Sequence, residues 1–280
     1  MNHPAVAPGR VAVITGGASG IGLAAAKRFV EIGMKVCIAD LDAAALADAQ
    51  SALGGNAIAV QTDVAEFAQV ERLRDRAIDA FGEVGVLMNN AGSGGGGGPW
   101  SGYDGWQRVL GVNLWGVVHG VHAFSQRMVD QGTPCAIVNT GSKQGITNPP
   151  GDTAYNVSKA GVKTLTEALA HQLRTIEHCR VTAHLLVPGF TYTGLTKRSM
   201  PEKPPAAWYP EQVVDELLNR MGRGDFYIIC PDNDVTTAMD NARVQWSADD
   251  IIKNRPALSR WHPDFAAEFA RYMQAKTKDA

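Results

Sequence analysis

The chain carries no excess of positive charge: 26 Lys and Arg stand against 28 Asp and Glu, a formal net charge of -2. A surface built for polyanions is therefore not expected, and nucleic acid is set aside as a partner. There is no C-x-x-C pair. The four cysteines (Cys37, Cys135, Cys179, Cys230) lie far apart, three of them in or beside apolar strand-like runs. They read as reduced core thiols, not as a disulfide set or a zinc site. No apolar run approaches ~18 residues, so no membrane span is expected. Met1-Asn2-His3-Pro4 is not a basic segment leading into an apolar core, so no secretory signal is expected and the cytoplasm is the expected location. What remains is 280 residues, 45% hydrophobic, enough for one large α/β domain or two small ones.

The first apolar run, Val11-Ala12-Val13-Ile14, suits a parallel strand buried on both faces. Thr15-Gly16-Gly17-Ala18-Ser19-Gly20-Ile21-Gly22 follows and opens a helix through Phe29 and Ile32. A glycine-rich turn between strand and helix, with free N–H groups at the helix start, points to phosphate binding. The second strand, Lys35 to Ala39, ends in Asp40. Its carboxylate can accept hydrogen bonds from both ribose hydroxyls and repels a 2′-phosphate, so NAD is expected over NADP. The alternative role, a helix N-cap, suits Asp42 better. Asp63-Val64 follows the strand Ala57 to Gln61, where Asp63 either meets a ligand or caps the next helix. The strand Gly85 to Met88 leads into Asn89-Asn90-Ala91-Gly92. Ser93 and five consecutive glycines to Gly98 then form a loop, either merely mobile or flexing over the site with Trp100 as a wall. One long helix is expected from Tyr103 to about Asp130, with His119 and His122 as helix-face or subunit-contact residues.

The strand Cys135 to Asn139 delivers Thr140-Gly141-Ser142, and Asp152 or Thr153 can cap the helix that follows. That helix bears Tyr155 and Lys159, four apart and so on one face, about 5–6 Å between Cβ atoms. A neighbouring ammonium draws a phenol down from about 10, which suits Tyr155 to exchange a proton with an alcohol or carbonyl. The strand Val181 to Val187 ends in Pro188-Gly189.

Thr15-Gly16…Gly20-Ile21-Gly22, Asp63, Asn89-Asn90-Ala91-Gly92, Asn113, Ser142, Tyr155…Lys159 and Pro188-Gly189…Thr193 stand in one order over residues 8 to 232. Together they resemble the short-chain dehydrogenase/reductase family in its shorter single-domain form. Glycine spacing and length set the chain apart from the longer epimerase branch, and the Tyr-to-Lys spacing from the enoyl-reductase branch. The resemblance implies an α/β, Rossmann-type, doubly wound seven-stranded parallel sheet with helices on both faces. It implies Tyr155 as acid/base, Lys159 on the nicotinamide ribose, Ser142 on the substrate oxygen and Asn113 holding a relay water. Gly16, Ser19, Gly20, Ile21 and Gly22 would line the pyrophosphate, and Asp40 the adenosine ribose. Asp63 and Val64 would flank adenine, and Asn90, Ala91 and Gly92 the nearby ribose and strand ends. Pro188, Gly189, Thr191 and Thr193 would meet the carboxamide side of nicotinamide.

Residues 1–232 are thus expected to form the NAD-binding catalytic domain, with a substrate lid at about 190–222. The lid's aromatics favour an uncharged, bulky, apolar or aromatic secondary alcohol or ketone, unless they only pack on the body; Lys197, Arg198 and Lys203 are its charges. Gln144, Phe190, Tyr192 and Trp208 are the candidate substrate contacts, and no metal site is expected. Residues 233–280 exceed the resembled pattern as a helical extension. Val235, Met239, Ala242 and Trp246 share one face, and Phe265, Phe269 and Tyr272-Met273 another. These faces must be buried on the body, against a neighbouring subunit, or over the pocket mouth with Trp246 or Trp261. A homodimer or homotetramer is expected. Two other readings stay open: an NADPH-dependent carbonyl or 3-oxoacyl reductase, and a catalytically silent dinucleotide-binding scaffold.

Overall fold

A computed structural model describes residues 2–197 and 200–278. The first half runs β1 (Val11–Thr15), α1 (Gly20–Glu31), β2 (Lys35–Asp40), α2 (Ala43–Leu53), β3 (Ala57–Gln61), α3 (Phe67–Phe81) and β4 (Val86–Asn89). Next come α4 (Tyr103–Leu110), a π-helical turn at Gly111–Trp115, α5 (Gly116–Asp130), β5 (Cys135–Thr140), α6 (Gln144–Thr147) and α7 (Thr153–Thr175). The chain continues with β6 (Val181–Val187), α8 (Gly194–Lys197), α9 (Pro210–Gly222), β7 (Tyr227–Ile229), α10 (Thr237–Ile252) and α11 (Ala266–Lys276).

The seven strands form one parallel sheet in the order β3-β2-β1-β4-β5-β6-β7. Side chains on a strand alternate between faces, and here both faces are covered, which is why the strands read as unbroken apolar runs. Ala12 and Ile14 of β1 join a core with Phe29, Met34 and Leu217, under α1, α2 and α9. Val13 faces the opposite core, with Leu73, Phe124, Met128 and Leu173 from α3, α5 and α7.

The long helix expected over 103–130 is interrupted. A π turn at Gly111–Trp115 places Asn113, fully buried, out of the regular helical register. The covering segment is also shorter than the expected lid. Val213, Val214, Leu217, Leu218 and Met221 of α9 are buried in the core under the sheet, and Trp208 packs against the same core, so the later part of the expected lid belongs to the body. Arg198 lies outside the described residues.

The extension folds around Trp246. Its ring meets Phe269 and Tyr272 at 5.1 Å each, Arg255 stacks 3.9 Å above it, and its Nε1 donates to Ser259 Oγ at 2.8 Å. α10 packs beside α6. Among the described residues, no helix is long and apolar enough to cross a membrane.

At the opposite, N-terminal end of the strands, His3 is pinned under β6. Its Nδ1 accepts from the Ala5 amide at 3.2 Å and its Nε2 meets Thr182 Oγ1 at 3.2 Å; that hydroxyl also meets His184 Nε2 at 2.9 Å. Burial, then the nearby His184 and Arg10, lowers the His3 pKa from 6.5 to about 4. Burial also lowers His184, against the opposing bond to the Asp225 carbonyl. Between pH 6.5 and about 4 the unfolded chain therefore binds more protons, and stability falls as pH drops through that window. The loss expected is on the order of 1–2 kcal/mol, because the N-terminal segment can peel away and relieve part of the strain. His3→Asn keeps an acceptor for the Ala5 amide and cannot be protonated. Urea melts at pH 7 and 4.5 check that it flattens the decline.

Candidate active site

A cavity of about 1130 Å³ opens along the carboxyl ends of the strands, from Asp40 and Leu41 at one end to Tyr155, Phe190 and Leu195 at the other. It straddles β1 and β4, where the strand order reverses and open α/β sheets bind ligands. Gly16, Ser19, Gly20 and Ile21 line it, and Ser19, the N-cap of α1, spends no side-chain bond on the helix. Gly22 does not line it. A Cβ there would lie 2.1 Å from the Gly16 carbonyl oxygen, so Gly22 lets α1 start directly against the glycine turn. Asn90 Nδ2 holds the turn from the other side, donating to the Thr15 and Gly16 carbonyls at 3.1 and 3.3 Å.

At the far end, Asp40 Oδ2 accepts from the Ala18 amide at 3.1 Å, which fixes the carboxylate against the cavity wall. Asp63 lines the cavity but does not cap α3, whose N-cap is Glu66 with no side-chain bond; instead its Oδ1 accepts from the Ala65 amide at 2.9 Å to set the turn before that helix. Val64, Ala91, Gly92, Pro188, Gly189, Thr191 and Thr193 also line the cavity. Among the described residues, its lysines are Lys143 and Lys159, both at the end away from Asp40, and no arginine lines it.

Three of the four candidate catalytic residues meet in this space. Ser142 follows β5, and Tyr155 and Lys159 lie on α7, whose first turn is capped by Asp152 through the Tyr155 amide at 3.2 Å. Asn113 stands behind them. Its Oδ1 accepts from the Ser93 amide at 2.7 Å, and its Nδ2 donates to the Ser93 carbonyl at 2.8 Å and Ser158 Oγ at 3.1 Å. Since the side chain is engaged, a relay water on Asn113 would use the main-chain carbonyl.

The electrostatics differ from the sequence expectation. Burial raises the Tyr155 pKa; a hydrogen bond with Ser142 opposes this and the Asp152 charge adds to it. Lys159 Nζ donates to the Thr140 carbonyl at 2.8 Å and lies 5.7 Å from the tyrosine ring centre. Burial lowers the lysine to about 8. Burial thus opposes charge on both groups, and the net push on the phenol is upward despite the lysine beside it.

The glycine run is not a free loop. Gly95 and Gly96 amides donate to the Asp152 carboxylate at 2.7 and 3.2 Å, and Thr153 N donates to the Gly97 carbonyl at 2.9 Å. Arg108 Nη2 reaches the Gly94 and Gly95 carbonyls at 3.1 Å. A Cβ on Gly96 would lie 2.5 Å from that of Ala154, so the run is pressed against the start of α7. Ser93 and Gly94 line the cavity, whereas Trp100 is 93% exposed and forms no wall.

Of the four candidate substrate contacts, Gln144 and Phe190 line the cavity, but Tyr192 and Trp208 do not. Trp208 packs on the core beneath α9, and its main chain pairs with Phe190 and Tyr192 through a short bridge at Thr191. The Tyr192 hydroxyl is turned to the Pro201 carbonyl. Neither Trp246 nor Trp261 reaches the cavity. Sequence reading missed Asp152 and Asp232 as lining residues, since neither belongs to a motif. Among the described residues, no cluster of three His, Cys, Asp or Glu side chains is placed to hold a metal ion.

The short chain dehydrogenase family profile matches residues 10–204. A 3beta-hydroxysteroid dehydrogenase 2 from Eggerthella lenta is 34% identical over 198 residues, covering 69% of this chain and 75% of its own. An NADP-dependent (R)-specific alcohol dehydrogenase from Lentilactobacillus kefiri is 35% identical over 190 residues, covering 67% and 75%. The crystal structure of a short chain dehydrogenase/reductase from Burkholderia phymatum in complex with NAD superposes with a TM-score of 0.81 at 37% identity, over 89% of this chain and 96% of that one. The matched segment is the one that carries both the glycine turn and the Tyr155–Lys159 pair, and on that footing the chain belongs to the short-chain dehydrogenase family of oxidoreductases.

Proposed function

We propose that the protein transfers hydride between NAD(H) and an uncharged, bulky secondary alcohol or ketone, with Tyr155 as general acid/base. The observation that carries this reading is one continuous cavity lined by a glycine turn at the start of α1 and by Ser142 and Tyr155 beside a buried lysine. The residues fit a dinucleotide: the turn leaves no room for side chains, Ser19 keeps its hydroxyl, and Asp40 waits at the ribose position. When bound, the dinucleotide supplies or takes the hydride.

The chain's own part is position and charge. The α1 N-terminus and glycine turn hold the diphosphate. Lys159 binds the nicotinamide ribose, and its ammonium together with a cationic nicotinamide offsets the burial that keeps the phenol neutral. Ser142 donates to the substrate oxygen and steadies charge developing there, while Tyr155 gives or takes its proton. An uncharged substrate suits a site in which Lys143 is already paired with Asp232 and Asp240 and Lys159 is held by the Thr140 carbonyl. Phe190 and Leu195 supply apolar contact there.

Asp40 supports NAD over NADP, since among the described residues no cation lines that end to balance a 2′-phosphate. The expected cost to the phosphorylated cofactor is about 1.4 kcal/mol or more, a preference of at least about tenfold in kcat/KM. Following 340 nm absorbance over a panel of secondary alcohols and ketones tests this, with Asp40→Ser expected to narrow the gap. NADPH outperforming NADH in the unaltered protein would overturn the assignment.

A further inference from the structure

The extension touches the site through one buried charge network. Lys143, the residue after Ser142, sends its ammonium to Asp240 Oδ2 on α10 at 2.7 Å and to Asp232 Oδ2 at 3.4 Å. The two carboxylate side chains are 5% and 6% exposed, and the lysine 17%. Arg243, one turn on, stands 4.0 Å from the other Asp240 oxygen. Burial pushes the Asp240 carboxyl up, opposed by its bond to Lys143, so a carboxylate is tolerated here because the lysine is present.

Asp232 carries the network onward. Its Oδ2 also accepts from the Phe190 amide at 3.1 Å, and its Oδ1 from Val235 N at 2.9 Å and Asp234 N at 3.2 Å. A Cβ on Gly189 would lie 2.9 Å from Oδ2, so the carboxylate sits tight against the Gly189-Phe190 turn. On the other wall, Lys143 precedes α6, where a Cβ on Gly145 would lie 2.5 Å from the Lys159 carbonyl carbon. The Gln144 amide donates to Ser142 Oγ at 3.2 Å. A shift of Lys143 is therefore passed to Ser142 and Lys159 directly.

We propose that Asp240 is a positioning residue: through Lys143 and Asp232 it fixes both walls of the nicotinamide end, making the extension part of the active site. Asp240 lies outside the stretch that the family profile covers, and the idea rests on the dinucleotide reading above. Its consequence is selective. The adenosine end, built from β1, α1, β2 and β3, has no member in the network, whereas the Gly189-Phe190 turn and the Ser142 loop both do.

The test uses full-length protein and two ligands, NADH and ADP-ribose, which lacks nicotinamide. In Asp240→Asn, NADH affinity is expected to fall about tenfold while ADP-ribose affinity stays within about twofold. Asp240→Glu is expected to recover most of the loss. Amide exchange at Phe190 and Gly145 should quicken in Asp240→Asn without quickening across α10 and α11, which would show the extension still docked. Because a lone buried charge can unfold the chain, the charge-balanced Lys143→Met/Asp240→Leu variant must give the same split. Equal weakening of both ligands, or of neither, would reduce Asp240 to a docking residue and overturn the proposal. Unaltered protein binding neither ligand would defeat the dinucleotide reading as well, so the two failures are told apart.

Discussion

Tyr155→Phe lowers turnover by ~10²–10⁴-fold, the range that a positioned proton donor contributes, and leaves the NADH dissociation constant within about threefold. The substitution removes one hydroxyl and keeps the ring. Helix α7 keeps its cap, because Asp152 accepts from the backbone amide of residue 155 and not from the phenol. Lys159 keeps its place, because its ammonium is held by the Thr140 carbonyl on β5. The groups proposed to grip the dinucleotide therefore survive, and only proton transfer is lost. Ser142 remains to donate to the substrate oxygen, so a residual rate above background is expected. Stopped-flow turnover at 340 nm, alongside NADH fluorescence titration, measures both quantities. A variant keeping more than about a tenth of normal turnover would remove Tyr155 from the mechanism.

Gly22→Ala is the second large effect, and it strikes binding. The added methyl would sit 2.1 Å from the Gly16 carbonyl oxygen and 2.7 Å from Asn90 Nδ2. Neither neighbour can yield cheaply. Gly16 is itself backed by Ala91, whose Cα lies 2.8 Å from where a Cβ on Gly16 would be. Asn90 is tied to the Thr15 carbonyl, and its amide to Thr15 Oγ1. Relief comes only by moving the start of α1 away from the turn, an overpacking cost of about 1–3 kcal/mol. The same movement withdraws the helix N-terminus from the diphosphate, about 1–2 kcal/mol of anion stabilisation, or about 5- to 30-fold in NADH affinity. Thermal melts and NADH titration read the two losses separately. Unchanged values for both would mean that this turn does not hold the cofactor.

The sheet was legible because a strand covered on both faces leaves an apolar run, unbroken in Val11-Ala12-Val13-Ile14 and interrupted only by Thr182 and His184 in Val181 to Val187. Strand ends were less sharp: β4 runs to Asn89 and β7 shrinks to Tyr227–Ile229. The glycine turn and the Tyr155–Lys159 pair could be read because their chemistry depends on local spacing. The π turn around Asn113 could not, since Gly-Val-Asn-Leu-Trp has the composition of ordinary helix. Trp208 misled because a large aromatic in a covering segment suits a pocket and a core equally, and the bridge to Thr191 decides for the core. The electrostatics at Tyr155 were misjudged for a related reason. Residue spacing brings an ammonium near a phenol but does not reveal that burial opposes both charges, or that Thr140 holds the lysine. Lys143 and Asp232 stand 89 positions apart, and no local pattern predicts their meeting.

The carboxylate of Asp152 caps the start of the helix that carries Tyr155 and also fastens the segment of glycines beside the cavity. Remodelling that segment to admit a larger ketone changes what this negative charge leans on, a charge that bears on Tyr155. Under the proposed function, breadth of substrate and the alkalinity at which an alcohol is oxidised would be geared to one another. Mutant libraries aimed at either trait need residues 94–98 and 152 varied as a unit.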